Sequence, residues 1–483
     1  MGQGFGDFLL KLNYMTISLV IFDCDLRISD NPAFFEAAKS GDEILPIFIL
    51  DEKNKRVLGE TSKWFLHFVL ENFSKNLREK FALNLLLRKG DSLKILKEIF
   101  AKKKVAALYF NKAIEPYNIK LHEQIIKLAA AHNIEVFSFK AQTLFEPEEI
   151  KNGEGSYFKV FTAFWNKCLK NSDKVLKPLA IPSDVKIAKH DFKNDDLDLL
   201  PEKKWAKKFE KIWEFDEKKV RKNFTVFLQN KIHNYKQARD IPSLEATSKL
   251  SPYLHFGVIS PREIFNLTIQ IQPSEGQKQF LAEIGWREFS HHLLFHFPQL
   301  PTKSFRAEFE KFSWQENAVL LKKWQKGQTG YPIVDAGMRE LWATGFMHNR
   351  VRMVVASFLI KHLLIDWREG EKWFWDCLVD ANLANNTASW QWVAGSGADA
   401  APYFRIFNPS LQGERFDVDG KYVRKWVPEI SKLPNKFIHE PWKADKKTLE
   451  YCGVALGENY PEPIVDHAKA RDMAMMLYKM LKS

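Results

Sequence analysis

The residue types best suited to chemistry lie between residues 345 and 392, and the first group there follows a helical pattern. Asn349 and Met353 are four residues apart, on the face opposite an apolar stripe that consists of Val351, Val354, Val355, Phe358 and Leu359. An amide beside a thioether, flanked by Arg350 and Arg352, suits a pocket for a flat, anionic and partly apolar ligand. An ordinary surface helix can show the same spacing, so this pattern alone leaves both interpretations open.

The same stretch continues with polar residues and two tryptophans: Asp380, Asn382, Asn386, Trp390 and Trp392. On a helix, a separation of two residues places the two indoles about 200° apart, so they face different partners. One ring could contact a cofactor and the other a substrate. Both could also be ordinary core aromatics, since the chain contains 15 tryptophans.

A candidate anion site precedes a helix that is expected to start at Ser251-Pro252. The segment Thr247–Ser251, which also contains Leu250, supplies three hydroxyls from Thr247, Ser248 and Ser251 and an ammonium from Lys249. Hydroxyls, backbone N–H groups and the helix dipole together attract a phosphate group, although a plain helix cap would have the same composition. Tyr235 and Arg239 lie shortly before this segment and could close over it.

Glu283 and Trp286 share one face of a predicted helix, and Arg287 lies beside them. A carboxylate can form hydrogen bonds with the edge of a base while the neighbouring indole stacks on its face. Taken singly, they also fit a surface ion pair and a core tryptophan. Combined with Trp392, Asn349 and Met353, they would form an aromatic pocket with few polar groups, as ligand sites usually are.

Two kinds of hydrophobic pattern divide the chain. Short apolar runs occur near residues 17–22, 44–50, 83–87, 106–110 and 134–137, and helical patterns separate them. Such runs predict an N-terminal α/β domain with a Rossmann-like parallel sheet, because its strands are buried on both faces. Helical patterns dominate the second half, which also holds eleven of the 15 tryptophans, and they predict an all-α C-terminal domain.

These patterns give the expected boundaries. Residues 1–14 form a leader without fixed structure, 15–144 the α/β domain, 145–218 a connector over the surface with some helix around residues 157–169, and 219–483 the helical domain.

The net charge, the cysteines and the length of the apolar runs restrict the possible partners of this protein. A formal net charge of +12 indicates a polyanion such as nucleic acid, although lysine-rich solubility faces give the same excess. Four scattered cysteines at positions 24, 168, 377 and 452 show neither metal-ligand spacing nor a disulfide framework, which is typical of a reducing cytoplasm. We therefore expect no metal site. No apolar run reaches the length of a membrane span, so we also expect no membrane contact.

Six segments resemble the photolyase/cryptochrome family in both letters and spacing, and within it the class I bacterial cyclobutane pyrimidine dimer photolyases. They are Thr247–Tyr253, Glu283–Phe289, Thr329–Asp335, Met347–Met353, Asp366–Gly370 and Trp390–Trp392. The resemblance implies a U-shaped FAD in the helical domain. Its phosphates and adenosine side would contact Tyr235, Thr247, Ser248, Lys249, Leu250, Ser251 and Arg287. Its ring would contact Asn349, Arg352, Asp380, Asn382 and Asn386, with Arg352 paired to Asp380, Asn386 at the flavin N5, and the anionic reduced flavin as the working state.

The resemblance also implies the activity, a deoxyribodipyrimidine photo-lyase driven by blue light, with damaged DNA as partner. Electrons would reach the flavin through Trp390, Trp367 and Trp314, and the dimer would lie against Glu283, Trp286, Asn349, Met353 and Trp392. Besides Trp286 and Trp392, the DNA contacts would be made by Arg239, Arg350 and Arg405. We expect a monomer in the bacterial cytoplasm.

Two alternatives within the family are a cryptochrome-type photoreceptor and a (6-4) photolyase, which has histidines where this chain has Asn349 and Met353. Three positions depart from the family: Asp23 and Lys249 replace arginines, and Asn382 replaces an aspartate. We expect bound flavin with a shifted redox potential. A second, antenna chromophore of folate or deazaflavin type is possible near Asn111 and Glu115–Pro116, although Asp23 changes the loop that borders its site.

Overall fold

A computed structural model describes residues 16–53, 55–202, 204–400 and 405–482. The expected leader, residues 1–14, lies outside these ranges. Within them, no helix has the length and apolarity that are needed to cross a membrane.

The N-terminal part is built on one parallel sheet. Its strands are β1 Ile17–Phe22, β2 Glu43–Leu50, β3 Leu86–Lys89, β4 Val105–Asn111, β5 Glu135–Phe139 and the short β6 Lys186–Ile187. The order is β3-β2-β1-β4-β5, and β6 pairs with the first two residues of β2. The helices around it are α1 Pro32–Ser40, α2 Glu60–Phe81, α3 Ser92–Lys102 and α4 Pro116–Ala131. The predicted α/β fold is therefore confirmed.

Two expectations about this part are wrong in detail. The third strand begins at Leu86, because residues 83–85 precede the strand and only 86–89 pair with β2. The connector also does more than cover the surface. Its helix α5, Phe161–Lys170, lies where helix was predicted, but the connector also buries Phe164, Trp165, Phe209 and Trp213 in the same core as one face of the sheet. Its aromatic side chains thus belong to a hydrophobic cluster that both domains share.

The C-terminal part is helical, as predicted. Its helices are α6 Glu217–Asn230, α7 Tyr235–Ala238, α8 Ser251–His255, α9 Pro261–Ile269, α10 Glu275–His296, α11 Ala318–Gln325, α12 Pro332–Thr344, α13 Asn349–Ser357, α14 Trp367–Cys377, α15 Leu383–Ala394, α16 Pro409–Phe416, α17 Lys421–Trp426, α18 Lys446–Cys452 and α19 His467–Lys482. A π-helical turn, Phe358–His362, extends α13. The whole stripe predicted from Val351 to Leu359 is buried, which explains the orientation of α13.

The two domains also meet directly where α2 packs on α14. Gly59, just before α2, lies so close to Trp375 that an added Cβ would stand 2.1 Å from its backbone oxygen. Ser62 of α2 donates a 3.1 Å hydrogen bond to the carbonyl of Leu378, at the end of α14. Only a residue without a side chain permits this approach, which sets the position of α14.

Candidate active site

A cavity of about 560 Å³ opens among α7, α10, α13, α15 and the segment before α8. Of the residues predicted to bind or react, all except Trp314, Trp367 and Arg405 line it. A volume of this size is typical of a site for a cofactor or another sizeable ligand. Residues far apart in the sequence are therefore brought together around one space.

The segment Thr247–Ser251 forms one end of the cavity, but the helix after it is short. α8 has only 5 residues, so its dipole adds little to the anion site that the sequence suggested. The Ser251 hydroxyl donates a 2.5 Å hydrogen bond to Asp380, and Lys249 adopts a φ of 52°. The backbone and the Thr247 and Ser248 hydroxyls are thus better placed to meet a phosphate than the helix end.

Asp380 is held by an ion pair in the wall of the cavity. Nη2 of Arg352 donates to both carboxylate oxygens, at 3.1 and 3.0 Å, and its Nε donates to the Met347 carbonyl at 2.7 Å. The Asp380 side chain is only 3% exposed. The ion pair expected between these two residues is therefore present, and it places a fixed guanidinium beside the ligand space.

The polar face of α15 borders the same space. Asn382 caps this helix, since its side-chain oxygen accepts the N–H of Asn385 at 3.1 Å. Asn386, one turn later, is buried and donates two hydrogen bonds to Glu371. Sequence analysis missed Glu371, although it directly follows the segment Asp366–Gly370 that was singled out.

His255 is a second cavity residue that sequence analysis missed. It is buried, and burial lowers the pKa of its imidazole to about 4, so the ring is neutral near pH 7. Neither ring nitrogen has a hydrogen-bond partner within the described part of the chain. Buried polar atoms normally have partners, so these two fit a polar ligand in the cavity.

An aromatic wall faces α15 from α10. The ring of Trp286 stacks on Phe161 of α5 with 3.7 Å between centroids and 8° between planes. One face of this indole is therefore covered, and the other is left for the cavity, which Trp392 and Met353 also line. The stack was not predicted, because Phe161 lies in the presumed surface connector.

The charged groups at the cavity mouth are paired with one another, and these pairs were not predicted from the sequence. Arg239 donates to Glu283, which also accepts from Gln279 at 2.8 Å. Arg350 forms a 2.8 Å ion pair with Asp240. Each of these two arginines therefore has a carboxylate partner in this state, whereas Arg405 is exposed on the surface.

The three tryptophans expected to carry electrons differ in burial. Trp390 and Trp367 are fully buried, and Trp314 is half-buried at the edge of the same core. Trp390 lies over Gly370 of α14, where an added Cβ would stand 2.1 Å from the indole. Burial therefore decreases from Trp390 and Trp367 to Trp314, as expected for a path that leads from the cavity toward solvent.

The loop after β1 uses its polar groups internally. Asp23 forms a 2.7 Å ion pair with Lys55, and Asn111 donates to Asp25 at 2.5 Å and to Asn31 at 2.9 Å. Asn111 also accepts the N–H of Ala33, so its amide is fully committed to the sheet edge. It is therefore a structural residue here, which does not favour the expected contact with an antenna chromophore.

Other classes of site find no support. All four cysteines are free, and no group of three or more potential metal ligands occurs among the residues that the structure places.

Comparison with known proteins agrees with this geometry. Residues 280–480 match a family model described as the FAD binding domain of DNA photolyase, and residues 18–183 match one described as DNA photolyase. The deoxyribodipyrimidine photo-lyase of Agrobacterium fabrum is 45% identical over 96% of this chain and 98% of its own. Cryptochrome-1 of Arabidopsis thaliana is 36% identical over 94% of this chain and 69% of its own.

Solved structures show the same relationship. A bacterial class III photolyase from Agrobacterium tumefaciens superposes with a TM-score of 0.94 at 43% identity, and the match covers 99% of this chain and 100% of that one. A cryptochrome from Synechocystis gives a TM-score of 0.89 at 28% identity, covering 96% of this chain and 100% of that one. This chain belongs to the photolyase/cryptochrome family, as its sequence motifs predicted, and its helical domain is the FAD-binding domain of a photo-lyase.

Proposed function

We propose that this protein repairs cyclobutane pyrimidine dimers in DNA, using blue light and bound FAD. The observation that carries the proposal is a single cavity whose wall combines the proposed cofactor residues with the aromatic pair Trp286 and Trp392. When bound in its reduced form and excited by light, FAD would supply the electron that splits the cyclobutane ring and is then returned. A cofactor and a lesion in one cavity would satisfy the need of this chemistry for close approach.

The cofactor side of the cavity fits FAD. Arg287 and the Thr247–Ser251 segment offer donors for its phosphates and adenosine side, with Tyr235 above them. Arg352, Asp380, Asn382, Asn386 and Asn349 would border the ring. His255 adds two unsatisfied nitrogens on this side, which a bound cofactor could engage.

The lesion side of the cavity fits two fused pyrimidines. Trp286, backed by Phe161, and Trp392 offer flat apolar surfaces, and Met353 adds a soft apolar contact. Glu283 and Asn349 can form hydrogen bonds with the pyrimidine edges. The dimer must leave the duplex to enter, at a cost of a few kcal/mol that is smaller for a poorly stacked lesion.

DNA binding would require the ion pairs at the cavity mouth to open. Arg239 and Arg350 would exchange Glu283 and Asp240 for phosphates, and exposed Arg405 would add a third contact. This exchange would free Glu283 to contact the lesion when the protein binds the DNA backbone. Each neutralised phosphate contributes about −0.9 to the slope of log affinity against log salt, so three contacts predict a slope of about −2.7.

Trp390, Trp367 and Trp314 would return the flavin to its reduced form, because indoles are oxidisable and stable in an apolar core. We propose that the protein acts as a monomer in the bacterial cytoplasm. If the protein also binds a folate or deazaflavin antenna, we propose that the antenna does so without a contact to Asn111.

The decisive experiment mixes chemically reduced protein with an oligonucleotide that carries one thymine dimer, under blue light and in darkness. Restored thymines in light alone support repair, and an oligonucleotide with a (6-4) product should remain unchanged. The neutral side chains Asn349 and Met353 offer no acid for (6-4) repair. Intact dimers after illumination would instead favour a photoreceptor, to which the similarity to Arabidopsis cryptochrome-1 points.

A further inference from the structure

Arg56 of the α/β domain extends into the helical domain and forms a bidentate ion pair with Glu371 there. Its two terminal nitrogens donate to the two oxygens of Glu371, each at 2.9 Å. The guanidinium carbon lies 3.9 Å from the ring centre of Trp375, whose Nε1 donates to the Val57 carbonyl at 2.9 Å. A bidentate, stacked arginine of this kind has a fixed position.

Glu371 in turn fixes the side chain of Asn386. The Asn386 amide nitrogen donates to the backbone oxygen of Glu371 at 3.0 Å and to its Oε1 at 2.9 Å. Both partners can only accept, so the amide nitrogen must face them and the amide cannot turn over. Because Asn386 lines the cavity, its side-chain oxygen is the polar atom left for a ligand there.

The orientation of this amide matters for the redox state of a flavin. A ring nitrogen of oxidised flavin presents a lone pair, and the same nitrogen carries a hydrogen after reduction by two electrons and one proton. A carbonyl oxygen accepts that N–H but faces the lone pair unfavourably. An Asn386 held with its oxygen toward the cavity therefore stabilises the reduced form relative to the oxidised form.

We propose that Arg56 is a positioning residue for the redox potential of the flavin, acting through Glu371 and the fixed amide of Asn386. The inference rests on the proposed flavin site described above and adds to it a contribution from the α/β domain. Loss of the guanidinium would leave Glu371, which is 4% exposed, as a buried carboxylate without its partner. The carboxylate would then move or take up a proton, and the Asn386 amide would keep only its hydrogen bond to the Glu371 carbonyl, so turning over would cost less.

The test is the midpoint potential of the bound flavin, measured with reference dyes in the purified holoprotein without DNA. We expect Arg56→Met to disfavour reduced flavin at least tenfold, which is a fall of about 30 mV for a two-electron couple. Arg56→Lys keeps the charge but loses the two-pronged grip, and we expect it to lie below wild type and no lower than Arg56→Met. The conservative lysine variant also guards against a methionine variant that does not fold.

Arg88→Met is the matched control. Arg88 is a similarly buried arginine of the α/β domain with two carboxylate partners, Glu98 at 2.9 Å and Asp195 at 3.1 Å, and none of these lines the cavity. The midpoint potential of the flavin in Arg88→Met should equal that in wild type. The proposal is overturned if Arg56→Met leaves the potential unchanged, if Arg56→Lys equals wild type, or if Arg88→Met shifts as far as Arg56→Met. Since no DNA is present, failed dimer repair would count against the proposed function alone.

Discussion

Gly370 of α14 lies directly beneath the indole of Trp390, and replacing it with alanine tests how tightly that ring is held. An added Cβ would stand 2.1 Å from Cη2 and 2.4 Å from Cζ3 of Trp390, and 2.7 Å from Cδ2 of Leu359. The indole cannot move away easily, because Phe374 and Trp324 pack against it at centroid distances of 5.0 and 6.3 Å. The new methyl group must therefore displace buried atoms.

The size of the effect follows from two opposing terms. Overpacking of a full core costs about 1–3 kcal/mol, and contact with two atoms of a buried ring places this case near 3. Alanine in place of glycine inside a helix gains about 1 kcal/mol. We therefore expect Gly370→Ala to lower the free energy of unfolding by about 2 kcal/mol. Gly153→Ala is the control, since no atom lies within 4 Å of its Cβ.

Urea unfolding measures the stability, and light-driven reduction of oxidised flavin in the presence of a thiol reports on Trp390. Gly370→Ala should slow that reduction, whereas repair by chemically reduced protein should suffer less. An alanine variant as stable as wild type, with unchanged photoreduction, would refute both the packing around Trp390 and its proposed place in the electron path.

Further predictions concern the relay, the lesion wall and the cavity histidine. Trp390→Phe should abolish photoreduction of the flavin but spare repair by chemically reduced enzyme; equal loss of both would contradict the relay. Phe161→Ala removes the stack behind Trp286 and should weaken binding of dimer-containing DNA by about 0.5–1.5 kcal/mol, with little effect on undamaged DNA in a filter-binding assay. Because burial lowers the pKa of His255 to about 4, the folded chain binds fewer protons than the unfolded chain below pH 6.5, and stability falls on acidification. Between pH 7 and pH 5, wild type should lose up to about 2 kcal/mol more than His255→Asn in urea unfolding, and equal losses would contradict a neutral, buried ring.

Much of the architecture could be predicted from the sequence because burial leaves a periodic trace. The run Ile17–Phe22 is a strand with the predicted bounds, since a strand buried on both faces must be continuously apolar. The stripe through Val351 and Phe358 is buried as its helical spacing indicated. The third strand was placed too early because Leu83 and Leu85 are buried in the core without belonging to the ladder.

The connector shows where periodicity fails. Charges and prolines dominate residues 145–218, and a surface loop has the same composition. The few large side chains within it, such as Trp165 and Trp213, nevertheless anchor it in the shared core. Isolated buried aromatics between charged residues give no repeating signal, so their burial could not be deduced from spacing.

In the cavity, the motif residues could be predicted but their partners could not. Asn386 was singled out from the sequence, yet the hydrogen bonds that orient it come from Glu371 and, through it, from Arg56, 315 positions earlier in the chain than Glu371. The Trp286–Phe161 stack and the Arg239–Glu283 pair are likewise made between distant segments. Spacing within one helix determines which face a side chain occupies, whereas the packing of separate helices determines what it meets there.

This difference also explains why the carboxylate partners of the arginines at the cavity mouth were not predicted. A sequence shows Arg239 and Arg350 as two positive charges, and a polyanion is the natural partner for a chain with a net charge of +12. The fold supplies Glu283 and Asp240 as their partners instead. Two unpaired, partly buried guanidiniums would be costly without DNA. Under the proposed function, exchange of these pairs for phosphates would couple binding of the DNA backbone to release of the carboxylate that would meet the lesion.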